Sequence, residues 1–126
     1  MADTQIPDDI RDFIVNRVDS IAHIEALMLL RHDPEISWDA ASLAARLYIS
    51  VDEAKRVLEE LGARSLLMVD NGVYRYGCAS PELKVLVDRL ARIYATQLIA
   101  VTNLVHAKAS SRIKQFADAF RLRKDK

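Results

Sequence analysis

The chain is poor in the residues that much protein chemistry depends on. Of its 126 residues, one is cysteine, three are glycine, three are proline and one is tryptophan, and the formal net charge is zero. A single cysteine, Cys78, excludes an internal disulfide and fits a reducing, cytoplasmic setting. Three scattered glycines leave no glycine-rich phosphate loop and no nucleophile elbow. His23, His32 and His106 stand at no metal-ligand spacing with one another or with Cys78, so no metal and no cofactor is expected. Adjacent carboxylates such as Asp8-Asp9 and Glu59-Glu60 do not face each other on a helix and read as surface, so catalysis is not expected. The longest apolar-rich run, Leu98 to Val105, is broken by Thr102 and Asn103 and is far shorter than the roughly 20 residues that cross a bilayer. The opening MADTQIPDDIRDF is acidic, with no basic flank before an apolar core, and does not read as a signal peptide.

What is present is an ordinary globular composition, 51% hydrophobic and 29% charged, at the length of one domain. Charge is unevenly placed. Asp3, Asp8, Asp9 and Asp12 face Arg11 alone at the start, whereas seven lysines and arginines from Lys108 onward face Asp118 and Asp125. The two ends could pair with each other, across a dimer or with a partner.

Helical periodicity runs from Ile10 through Phe13, Ile14, Val18, Ile21, Ile24, Leu27 and Met28, after a Pro7-Asp8-Asp9 start. Asp19-Ser20, poor helix formers and good caps, offer a break within it, and Asp33-Pro34 ends it. Residues 36–38 read as a short extended segment. Asp39 caps a helix from Ala40 to about Leu47, with Ala40, Leu43, Ala44 and Leu47 inward. Ser50 caps the next helix, and Glu53 completes a capping box with it. Ala54, Val57, Leu58 and Leu61 form that helix's inner stripe, and Gly62 stands where it could close the last turn. Leu66 to Val69 and Val73 to Tyr76 flank Asp70-Asn71-Gly72, a strong hairpin signal. Ser80-Pro81 starts a long helix extending to about Lys108, and Ser110-Ser111 could cap a last one bearing Ile113, Phe116, Ala117 and Phe120. The expected fold is therefore mainly α with a small β-hairpin. One domain spans 1–126, with a core at 20–78 and a helical extension at 81–120.

Leu43-Ala44, Leu47, Ile49-Ser50, Ala54, Leu58, Leu61 and Leu66-Leu67 carry a resemblance to the winged helix-turn-helix transcriptional regulators of bacteria. It covers about residues 20–76. Tyr48 and Ser65 stand where that family often has glycine. The resemblance implies duplex DNA as partner, read by the helix that Ser50 caps. Lys55 and Arg56 would meet bases or phosphates, the hairpin or wing would add Arg75, and Arg46 and Arg64 would lie near the same surface. It also implies a homodimer built on the added helices, where Leu90, Ile93, Leu98, Val101, Leu104 and Val105 offer apolar surface. A fold-back of the first and last helices onto that surface is the alternative. The reading helix is acidic overall, because Asp52, Glu53, Glu59 and Glu60 outnumber its bases. That pattern supports a different class, an interaction module that docks on protein and binds no DNA. Neither class needs a membrane.

Overall fold

A computed structural model of the chain describes residues 6–107. The expected final helix and the basic tail lie outside the described residues. The fold is mainly helical with one two-stranded antiparallel hairpin. In order come α1 (Asp8–Arg17), α2 (Ile21–His32), α3 (Ala40–Leu47), α4 (Val51–Ala63), β1 (Leu67–Asp70), β2 (Val73–Tyr76) and α5 (Pro81–Thr96). A further helix, α6, covers 98–107. No described helix is long and apolar enough to cross a membrane.

The Asp19-Ser20 break is realised. Val18 leaves helical geometry, and the Ser20 hydroxyl caps α2 by accepting from His23 N. The reciprocal capping box differs from expectation. It stands at α3, where Asp39 accepts from Ser42 N and Ser42 Oγ accepts from Asp39 N. At α4 the Ser50 hydroxyl accepts from Glu53 N at 3.0 Å, the forward half of a box.

Both α3 and α4 end in the same way. Tyr48 (φ 59°) and Ser65 (φ 69°) adopt left-handed backbone. The next residue then reaches back five positions: Ile49 N donates to Ala44 O, and Leu66 N donates to Leu61 O. This is the Schellman arrangement, in which a left-handed residue lets the last carbonyls find donors. The positions that the resemblance marks as often glycine are the two that need this conformation. A side chain there costs about 1 kcal/mol. Gly62 does something else: a Cβ there would meet the Tyr74 ring at 3.3 Å, so its bare backbone lets that ring lie on α4.

Asn71 (φ 53°) and Gly72 (φ 80°) make a two-residue turn with both central residues left-handed. It sets the register Asp70↔Val73 through Leu67↔Tyr76. Trp38 exchanges both backbone hydrogen bonds with Tyr74, at 2.8 and 2.7 Å, so the extended segment docks on β2.

The core lies between the elements. Ile10, Phe13 and Ile14 of α1, Ile24, Leu27 and Leu30 of α2, Leu43 of α3 and Leu58 and Leu61 of α4 meet Leu66 and Leu67. Val87 and Leu90 of α5 and Val101 and Val105 of α6 close it. Each such side chain contributes about 1.5–3 kcal/mol on burial. Polar ties fasten α5 to the helices beneath it. Arg31 of α2 donates to Asp88 at 3.0 Å, Arg89 pairs with Asp9 of α1, and Tyr94 donates to Glu25 of α2.

The long helix from Pro81 is two helices. Gln97 (φ −132°, ψ 51°) leaves helical geometry, with neither proline nor glycine to cause it. Gln97 N still donates to Ile93 O, and Val101 N donates to Gln97 O. The offset turns Val101 and Val105 into the core and leaves Leu98 and Ile99 exposed.

Candidate nucleic-acid interface

The inner stripe of α4 decides what its outer face carries. Ala54, Val57, Leu58 and Leu61 are fully buried. At 100° per residue, Asp52, Lys55, Arg56 and Glu59 must then point outward, and all four are exposed. Val51 starts the helix with its side chain also exposed. Tyr48, in the turn just before, is 93% exposed.

The structure places the sequence-predicted cations as follows. Lys55 lies in an open groove of about 350 Å³, between the start of α3, the outer side of α4 and the hairpin tip; Asp39, Glu59, Gly72 and Tyr74 also line it. Arg56 is exposed on the same helix face, and Arg46 is exposed at the end of α3. Arg75 is exposed on β2, opposite Met68 on the partner strand. None of these four makes an ion pair among the described residues. Acids share the surface: Asp52 and Glu59 lie among the α4 cations, and exposed Asp70 borders the hairpin turn. Asp39 titrates below the usual carboxylate range because the Ser42 backbone N–H and hydroxyl hold its charged form.

Arg64 is a correction. The resemblance put it near the outward surface, but it turns inward and is largely covered. Its Nη2 donates to Asp19 Oδ2 at 2.9 Å and its Nη1 to the Arg17 carbonyl at 3.1 Å. Arg17 returns the favour by donating to the Arg64 carbonyl. So held, the guanidinium sits at the α1–α2 junction and not on the outward face of α4.

The apolar residues expected at a dimer interface also divide. Leu90, Val101 and Val105 are buried within the single chain and cannot meet a second copy. α1 packs against α5, which is the first-helix part of the fold-back that the sequence left as the alternative; the last helix lies outside the described residues. Ile93 and Leu104 are half-buried against the same core. Leu98 remains exposed, beside Ile99 at 74% exposure.

Sequence reasoning missed what holds the far end of α4. His23, 2% exposed, is the one buried polar side chain among the described residues. Its Nε2 lies 2.7 Å from Glu60 Oε1 and its Nδ1 lies 2.8 Å from Ser20 Oγ. Burial holds its pKa below the usual histidine value, and the Glu60 carboxylate opposes this only in part. The ring is therefore neutral at neutral pH, with its N–H on Nε2 donating to Glu60. These residues stand thirty-seven positions apart, so no local spacing announces the contact.

Comparison of the chain with protein-family models, with curated proteins and with solved structures gave no match in any of the three.

Proposed function

We propose that this chain is a winged-helix DNA-binding protein that acts as a transcriptional regulator, with α4 as its groove-facing helix. The observation that carries the reading is the outward face of α4. Lys55 and Arg56 stand there without ion-pair partners among the described residues, between the turn at Tyr48 and the hairpin that presents Arg75. A helix cross-section fits the major groove, and a hairpin beside it reaches the adjacent backbone. Four cations per chain would give weak, salt-sensitive binding, so a second copy is needed for useful affinity. Among the described residues of α5 and α6, Val85, Leu98 and Ile99 are exposed and offer apolar surface for that dimer.

The test is a titration of nonspecific duplex DNA at low and moderate salt, beside a Lys55→Ala/Arg56→Ala double variant. Binding should appear at low salt and fade at moderate salt. The variant should bind about tenfold or more weakly and lose about two from the salt slope. No binding at low salt, or a variant equal to the wild type, would overturn the reading.

A second reading rests on Asp52 and Glu59, which sit among the cations of the same exposed face. A mixed-charge helix beside an exposed tyrosine suits a protein partner better than a polyanion. Protein capture by the α4 face without any DNA affinity would favour it.

A further inference from the structure

Asp19 at the α1–α2 junction, His23 on α2 and Glu60 on α4 each place one donor atom within 4.8 Å of the other two. The fold alone makes this convergence. We propose that the trio binds a divalent transition-metal ion, with His23 Nε2 and one carboxylate oxygen each from Asp19 and Glu60 as ligands.

The donor chemistry selects the class of ion. One imidazole nitrogen with two carboxylate oxygens suits Zn²⁺ and its first-row neighbours, and three protein ligands leave a position for water. Two carboxylates supply two negative charges to a divalent ion, and Arg64 beside Asp19 leaves the occupied site with one net positive charge. His23 is held as metal-ligating histidines usually are, with its second nitrogen on a fixed partner, here Ser20 Oγ. On metal binding the ring keeps its single proton, which moves from Nε2 to Nδ1. The Ser20 hydroxyl, able to donate or accept, then takes that bond. Glu60 is 36% exposed and gives the ion a way in from solvent. Metal–ligand bonds of about 2.0–2.2 Å put tetrahedral donors roughly 3.3–3.6 Å apart, so small side-chain rotations close the site. Arg64 neutralises Asp19 in the metal-free protein, and a carboxylate can keep that contact while another of its lone pairs ligates. An ion here would tie α4 to α2 and to the α1–α2 junction. This inference stands whether α4 meets DNA or protein.

Calorimetric titration of the full-length chain with Zn²⁺ tests it. One ion should bind per chain, and thermal unfolding should shift upward with added Zn²⁺. Glu60→Gln and His23→Gln should each weaken binding by at least about tenfold. A His32→Ala/His106→Ala variant, which removes the two exposed histidines, should bind as the wild type does. Absence of Zn²⁺ uptake, uptake unchanged in Glu60→Gln, or uptake lost in the His32/His106 variant would each overturn the proposal. Should His23→Gln fail to fold, the half-exposed Glu60→Gln variant decides alone.

Discussion

Lys55 and Arg56 stand in the first half of α4, and Arg64 closes its last turn. All three are cations on or beside one helix, yet they do different work. Among the described residues the first half has only the Ser50 cap as a polar side-chain tie, and it presents its charges to solvent. The last turn is bolted down: Glu60 meets buried His23, Arg64 meets Asp19, and Arg64 and Arg17 exchange hydrogen bonds through each other's carbonyls. A helix fixed at one end and open at the other can offer a surface whose position is set by residues that never touch the partner. Residue type does not separate the two roles. What separates them is whether a distant segment happens to stand opposite.

The comparison can be broken by substitution. The largest effect should come from the apolar floor of the bolted end. Leu61→Ala, at a fully buried position, should lower stability by about 2–5 kcal/mol in denaturant unfolding. Next comes Arg64→Ala, which leaves the mostly buried Asp19 carboxylate without its guanidinium and should cost about 1–3 kcal/mol. The same truncation at Arg56 should change stability by no more than about 0.5 kcal/mol, and equal losses at both positions would erase the distinction. A modest loss, between those at Arg64 and Arg56, belongs to the cap of the open end. Ser50→Ala, which removes the cap, should cost about 1 kcal/mol, seen as a lower denaturation midpoint with an unchanged slope.

Local chemistry explains what could be read before any coordinates. Ser20, Asp39, Ser50 and Ser80 all cap helices because a short polar side chain reaches the N–H three residues on. Asn71-Gly72 makes the turn because both residues tolerate left-handed backbone. The break at Gln97 was not legible, since the residue itself carries no helix-stopping chemistry; packing of Val101 and Val105 into the core goes with it. The split within α4 was hidden for another reason. Asp19 and Arg64 are forty-five positions apart, and a guanidinium looks the same in sequence whether it faces a phosphate or a carboxylate. The candidate face of α4 was visible because its inner stripe is periodic. The cations that truly occupy it became clear only after tertiary contacts had claimed one of the five.

Trp38 docks the extended segment on β2, and its indole N–H finds no acceptor among the described residues. As the chain's sole tryptophan it gives the molecule a built-in optical reporter, placed at the joint between the hairpin and α3. Its emission follows the docking of that joint, whereas far-ultraviolet dichroism is dominated by the helices. Two melting curves that superimpose would mean that the joint and the helices unfold as one cooperative unit, and curves that separate would mean that the joint and the helices come apart in turn.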